Sequence, residues 1–524
     1  MSVWISRFDD DVLRERARSL PQGALHGVRV AVKDNIDVEG LPTTAGCPSF
    51  AYSPGRSAAA VRRLEAAGAQ IVGKTNLDQF ATGLVGTRSP YGACASVLDP
   101  DRVSGGSSSG SAVAVADGAV ALALGTDTAG SGRVPAAFNG VVGVKPTRGL
   151  VSTAGIVPAC RSLDCVSVFA ATVAQARRAL AVLAGPDPDD PYSRTGAARA
   201  FGLRLRLGVP APDLDEPSAV AWRRAIDDAA GAVDEIVEVD LEPFLAAGRL
   251  LYAGPWLAER FAAVGHALDA PDVDPVVREV IGRGARWSAA DAFRAREVLA
   301  ALAAQAAETW SRVDALLVPT APCHPTHAEV AADPIGVNDR LGTYTTFANL
   351  LDLCAVALPA GVRPDGLPFG ITLLAPAFAD AALLDLAARW PSAADAPVEL
   401  VVCGAHMRGM PLNGQLRAAG AQFVRMSATA ACYRLYALPG GERPGLVRSP
   451  DGGRIEVEVW RVPAAGLGAL NAQVPAPLSI GTVQLADGSA GRGFLCEGHA
   501  IADADDITTH GSWRTYVELR HTAA

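Results

Sequence analysis

Two serine- and glycine-rich stretches carry the chemistry that this sequence can do. They are Ser104-Gly105-Gly106-Ser107-Ser108-Ser109-Gly110-Ser111 and Leu124-Gly125-Thr126-Asp127-Thr128-Ala129-Gly130-Ser131-Gly132-Arg133, joined by an apolar run. Serine is a poor core residue and glycine weakens regular elements. Linkers share this composition but do not alternate with buried strands, so the pattern reads as a site. Amide hydrolysis is the fitting chemistry: it needs a nucleophile, a base and donors for an oxyanion. Ser131 follows an apolar strand and opens a glycine-rich turn before Pro135. The backbone N–H groups of Thr128, Ala129, Gly130 and Ser131 can therefore converge on a small anionic oxygen, and a helix starting just after would add its dipole. Ser131 is the candidate nucleophile.

A serine nucleophile must lose its proton. Of the 46 basic residues only Lys33, Lys74 and Lys145 are lysines. A coding bias toward Arg and Ala accounts for the missing surface lysines. A position that needs a neutral amine, however, cannot drift to arginine, because only lysine loses its proton on burial. Lys33 ends the apolar run Val28-Arg29-Val30-Ala31-Val32; taken alone it is a solvated strand end. Gly106-Ser107-Ser108-Ser109-Gly110 also matches G-x-S-x-G, the nucleophile elbow of α/β-hydrolases, which would leave the second stretch without a role.

The surrounding pattern alternates helix and strand. A strand is expected up to Lys33, a helix over Ser57–Gly68 with Gly68 as its stop, and a strand at Gln70–Gly73. A helix over Ser111–Gly118 and a buried strand at Ala119–Leu124 follow. Trp222–Trp310 reads as mostly helical, and Leu316–Pro319 and Cys354–Pro359 as later strands. Gly185–Arg199, rich in Pro and Asp, reads as a surface loop. This alternation implies a mixed or parallel sheet flanked by helices. Two prolines among small polar residues place a domain boundary at Trp390–Pro397. Beyond it, Arg454-Ile455-Glu456-Val457-Glu458-Val459-Trp460 alternates as a half-buried strand should.

At 524 residues two domains are the prior. A net charge of −9 argues against a nucleic-acid backbone partner. No apolar run reaches membrane-spanning length, and no signal peptide is expected from Met1–Leu20. Nine cysteines without a CxxC pair read as reduced thiols in the cytoplasm, and neither Cys160 nor Cys165 has partners for a metal set.

With Lys33 in Val28-Arg29-Val30-Ala31-Val32-Lys33-Asp34-Asn35, the two stretches resemble the amidase signature family of Ser-Ser-Lys hydrolases. The resemblance implies an α/β fold over residues 1–391, a mixed central sheet flanked by helices. It implies a relay in which Ser131 gives its proton to Ser107 and Ser107 gives one to neutral Lys33, with a cis Gly106–Ser107 bond. Asp127 and Arg133 match the family too, with a structural ion pair or turn contact as their expected role. Ser109 and Ala129 stand where glycine is usual. Both departures look like the allophanate hydrolase branch, as do Leu251–Arg260 and Gly342–Leu350. In that branch the arginine matching Arg260 is implied to hold the substrate carboxylate, with Tyr252 adding a hydroxyl. A planar, bidentate cation suits that task. One helix running through both residues would put them on one face. Without the surrounding motif, Arg260 reads as a surface arginine.

Residues 398–524 resemble the C-terminal domain of the same branch, through Val401–Asn413, Gly481–Val483 and Gly493–Glu497. That implies a smaller strand-rich α+β, γ-glutamylcyclotransferase-like unit. His406 is its implied acid–base residue, for loss of carbon dioxide from the N-carboxycarbamate left after deamination; a turn-capping histidine is the other reading. The resemblance implies no metal or cofactor, no nucleic-acid or membrane partner, and a functional link to a biotin-dependent urea carboxylase. The segment before Lys33 is shorter than usual for the family; such segments often pair subunits, so a homodimer stays open. The alternatives are a small-amide amidase of the same fold, the glutaminase component of an amidotransferase, and a binding protein with a decayed site. Intact Lys33, Ser107 and Ser131 argue against the last.

Overall fold

The computed structural model describes residues 3–390, 398–440 and 443–522. The chain divides into two compact units, Met1–Ser392 and Ala393–Ala524. From Pro391 onward, the expected boundary segment Trp390–Pro397 lies outside the described residues.

The first unit is built on one mixed sheet. Its strands are β1 (Trp4–Arg7), β2 (Arg29–Lys33), β3 (Gln70–Thr75), β4 (Leu122–Asp127), β5 (Val142–Lys145), β6 (Cys165–Ala170), β7 (Arg206–Val209), β8 (Glu235–Glu238), β9 (Ala315–Pro319), β10 (Leu353–Val362) and β11 (Pro368–Pro376). They lie in the order β1-β3-β2-β4-β6-β5-β10-β11-β9-β7-β8. β2 runs parallel to β3 and β4, and β7 parallel to β8 and β9; the other pairs are antiparallel. The central strands read as unbroken apolar runs because helices cover both faces. Side chains alternate between those faces: Val30, Val32, Leu122 and Leu124 enter one apolar cluster, Ala31 and Ala123 another.

Two expectations shift. β4 starts at Leu122, not Ala119, because a turn holds the residues before it. Gly118 takes a left-handed φ of 77°, and Asp117 Oδ1 accepts the Ala119 N–H at 2.9 Å. The strand consequently runs on through Thr126 and Asp127, which the sequence pattern left in the turn. Within Trp222–Trp310, helices are interrupted by β8, a sheet-edge strand whose two glutamates suit an unpaired edge.

The second unit has a five-stranded sheet and a three-stranded one. Its strands are β12 (Val398–Val402), β13 (Gln422–Ala428), β14 (Tyr433–Ala437), β15 (Pro444–Arg448), β16 (Glu456–Val462), β17 (Leu478–Gln484), β18 (Ala490–Cys496) and β19 (Asp505–Asp506). The orders are β13-β16-β12-β18-β17 and β15-β14-β19. β16 is the strand expected from the alternating run, but its burial does not alternate: Val457 through Trp460 are all buried. Glu458 is the cause. Its carboxylate accepts from the Arg408 N–H and guanidinium, from Arg514 and from Trp460 Nε1, so a polar position can be covered. Glu458→Ala should cost about 2–3 kcal/mol, since it strands these donors around a hole. Chemical denaturation of the full chain checks it: the transition of the second unit falls while that of the first stays in place.

Candidate active site

Parallel pairing sets β2 beside β4, and this fixes the meeting of their polar ends. Lys33, the last residue of β2, is fully buried and donates from Nζ to Ser107 Oγ and to Thr126 Oγ1 on β4, each at 2.8 Å. Ser107 follows a cis Gly106–Ser107 bond. Its carbonyl accepts the Asp78 N–H at 3.1 Å. Burial draws the Lys33 pKa down from 10.5 to about 7; Asp78, Asp164 and Asp127 pull against that shift, and Arg260 adds to it. Near neutral pH a large share of Lys33 is thus a free amine.

The two serine-glycine stretches lie face to face. A Cβ on Gly125 would fall 2.7 Å from Ser108 Oγ, and one on Gly105 would fall 3.0 Å from Pro135 Cα. Ser108 is fully buried and donates to the Thr126 carbonyl at 3.1 Å, so it cannot be the exposed serine of a nucleophile elbow.

The loop from Asp127 to Arg133 is pinned residue by residue. Asp127 and Arg133 form a fully buried bidentate pair, 2.9 Å on each arm, as their structural reading expects. Burial alone would raise the Asp127 pKa; the guanidinium, its hydrogen bonds and Lys145 together hold it below the usual value. Thr128 Oγ1 donates to Asp164 at 2.5 Å, and Thr345 Oγ1 donates to the Ala129 carbonyl at 2.7 Å. Asn349 Nδ2 donates to the Asp127 carbonyl at 2.8 Å. One expected oxyanion donor is already spent: the Gly130 N–H is given to Asp127 Oδ1 at 2.9 Å, because the carboxylate folds back over the turn. The N–H groups of Thr128, Ala129 and Ser131 have no acceptor among the described residues. The Ser131 hydroxyl makes no hydrogen bond among them either, and Ser107 is not its partner here. Ser131 is 3% exposed, against 0% for Ser107 and Lys33. The helix that follows, Val134–Phe138, spans only five residues, so its dipole is small.

Tyr252 and Arg260 do not share a helix. Gly254 and Pro255 break the chain between the helices Glu242–Ala253 and Trp256–Val264, and the two side chains meet across that corner, with Arg260 Cζ 5.9 Å from the Tyr252 ring centroid. Arg260 is no surface residue. It is 2% exposed, donates from Nη1 to Thr82 Oγ1 at 2.7 Å and the Ala81 carbonyl at 3.2 Å, and has no carboxylate partner among the described residues. Tyr252 also lines a cavity of about 520 Å³ with Arg88, Arg249, Arg283, Arg286 and Asp339. A buried guanidinium without an acid is a site for an anion.

In the second unit His406 lines a separate cavity of about 280 Å³ with Cys403, Gln415, Arg443 and Phe494. Its Nε2 lies 3.0 Å from Gln415 Oε1, and its ring stacks on Phe494 at 4.8 Å. Burial draws its pKa below the usual histidine value.

The sequence does not single out Thr126, Asp164, Thr345 or Asn349, although all four hold the loop or the lysine. The last two lie inside Gly342–Leu350, and Thr126 lies inside the second serine-glycine stretch without a mark of its own; Asp164 is a single acidic position between Leu163 and Cys165, a signal too weak alone. Lys33 also carries a cost in stability. Its folded pKa lies below its unfolded one, so the unfolded chain binds more protons between about pH 7 and 10.5, and stability rises with pH across that window. Lys33→Met should therefore melt above the parent at pH 7, with the gap closing toward pH 10.5. Thermal melts of both proteins over this range check it; a variant less stable than the parent throughout contradicts it.

The amidase family model matches residues 7–384, and the allophanate hydrolase C-terminal domain model matches residues 398–518. A urea amidolyase of Saccharomyces cerevisiae is 44% identical over 99% of this chain, which spans only 31% of that relative. A urea amidolyase of Lachancea kluyveri is 42% identical, again over 99% of this chain and 31% of that one. The solved structure of Kluyveromyces lactis allophanate hydrolase is 42% identical, with a TM-score of 0.72, covering 98% of this chain and 93% of its own. The chain belongs to the amidase family, and carries behind its amidase domain an allophanate hydrolase C-terminal domain.

Proposed function

We propose that this chain hydrolyses allophanate, urea-1-carboxylate, to ammonia and carbon dioxide through a Ser-Ser-Lys acyl-enzyme. The observation that carries the reading is the presence in one unit of a buried Arg260 without a carboxylate partner among the described residues and of a buried lysine, under its electrostatic influence, whose amine is hydrogen-bonded to a serine. The first supplies a counter-charge for the substrate carboxylate, the second a base. The similarity to Kluyveromyces lactis allophanate hydrolase over nearly the whole chain supports the same choice.

In this mechanism Ser131 gives its proton to Ser107 as Ser107 gives its own to the neutral Lys33. The Ser131 oxygen forms a bond to the terminal amide carbon, and the carbonyl pair moves onto oxygen. The N–H groups of Thr128, Ala129 and Ser131 receive that oxyanion. Collapse expels ammonia, with the proton returned from Lys33 through Ser107. Water then releases N-carboxycarbamate by the reverse path. His406, drawn toward its neutral form by burial, would act on that product in the second unit. A biotin-dependent urea carboxylase would make the substrate.

The test is ammonia release from fresh allophanate, with malonamide, biuret and glutamine alongside and Ser131→Ala as control. Preference for allophanate, lost in the control, is expected; turnover of the neutral amides but not allophanate would show that Arg260 does not hold a carboxylate. Arg260→Ala should lower kcat/KM for allophanate about 10- to 100-fold, the worth of a charge-assisted hydrogen bond, and leave malonamide turnover near the parental value. His406→Ala should preserve release of the first ammonia and slow only the second; an unchanged overall rate and stoichiometry excludes that role.

A further inference from the structure

Asp164 has no part in the relay, yet it holds Thr128 of the nucleophile loop and faces Lys33. It is a buried carboxylate whose Oδ1 accepts from Thr128 Oγ1 at 2.5 Å and from the Cys160 N–H at 3.1 Å, while Oδ2 accepts the Ala159 N–H at 3.0 Å. Its situation differs from that of the other two carboxylates that face Lys33. Asp127 is matched by Arg133 at two contacts. Asp78 accepts the Gly86 and Arg88 N–H groups and has the Arg88 guanidinium as its chief counter-charge. Asp164 has no ion-pair partner among the described residues. The cations that act on it are Arg260, which in the reading above is engaged by substrate, and Lys33. Cys160, beside it, is turned toward Glu259 at 3.0 Å.

We propose that Asp164 is a positioning residue for amide hydrolysis: through Thr128 Oγ1 it fixes the loop whose N–H groups receive the oxyanion, and its uncommitted charge supports the ammonium formed on Lys33. The inference rests on the Ser-Ser-Lys reading. Each attack carries one proton from Ser131 through Ser107 to Lys33, so a positive charge appears on Lys33 as a negative one appears on the substrate oxygen. Asp127 is paired with Arg133, and Asp78 divides its charge between Arg88 and Lys33, so once substrate engages Arg260 the Asp164 charge is free to support the lysine. Burial holds the Asp164 carboxyl up at about 6, so at pH 7 it is mostly ionised and able to do so.

The effect is one on turnover rather than on binding, and it has a pH signature. The groups facing Lys33 are Asp78, Asp127, Asp164 and Arg260. Removing the Asp164 charge leaves the field of Arg260 less opposed, so the ammonium is disfavoured and the Lys33 pKa falls. The acid limb of kcat/KM, which rises as Lys33 loses its proton, should then move to lower pH.

The test uses the full chain and ammonia release from allophanate. Asp164→Asn should lower kcat about 10- to 100-fold, less than outright loss of an oxyanion donor, with KM within about two-fold and the acid limb displaced downward. Thr128→Val, which leaves the carboxylate in place and removes only its hydroxyl partner, should lower kcat without moving the limb, and Thr128→Ser should recover most of the loss. An Asp164→Asn protein that melts like the parent, keeps parental kcat and keeps its acid limb overturns the proposal. Where Asp164→Asn does not fold, parental kcat in Thr128→Val overturns it equally. A parent that hydrolyses none of the amides, or whose activity survives Ser131→Ala, defeats the underlying reading instead.

Discussion

The removal of one amine from water governs this molecule. Lys33 is useful only as a neutral base, and desolvation is the largest influence keeping it so. Everything near it follows from that need. Parallel pairing of β2 with β4 brings Thr126 within reach of the amine; Thr126 and Ser107 give it hydrogen-bond partners that do not demand a charge. Of the carboxylates that face it, Asp127 is paired with Arg133 and Asp78 has Arg88 as its chief counter-charge, and none makes an ion pair with the amine itself among the described residues. An ion pair made directly to Lys33 would hold the proton on and end its use as a base.

The same economy shapes the nucleophile loop. A tight turn leaves several N–H groups pointing inward, and a buried N–H without an acceptor costs free energy. The loop satisfies two of them through Asp127, those of Gly130 and Gly132, and leaves three open among the described residues, those of Thr128, Ala129 and Ser131. Rigidity comes from side chains at its rim, Thr345, Asn349 and Asp164, and so does not consume the donors that chemistry needs.

Much of this was legible in the sequence because it is local. Val28–Val32 forecasts a buried strand, Gly68 a helix stop, and the doubled serine-glycine stretches a site. What was not legible depends on partners distant in the chain. Glu458 sits in an alternating run and is buried all the same, because Arg408 and Arg514 reach it from 50 and 56 positions away. Gly130 looks like an oxyanion donor until the Asp127 side chain folds back on it. Tyr252 and Arg260 have helical spacing, yet Gly254-Pro255 breaks the helix, and tertiary packing rather than periodicity brings them together. Arg260 itself, one arginine among many, is distinguished by burial without an acid, a property no single sequence position displays.

The three lysines, at positions 33, 74 and 145, are all fully buried. The folded chain thus offers no ε-amine to any reagent in solution. Acylating, carbamoylating or cross-linking agents that seek lysine find no lysine side chain on its surface. Their reaction with this chain would report the opening of its core and not the layout of its exterior. A protein surface free of primary side-chain amines is also chemically quiet in concentrated urea, where cyanate accumulates and attacks amines.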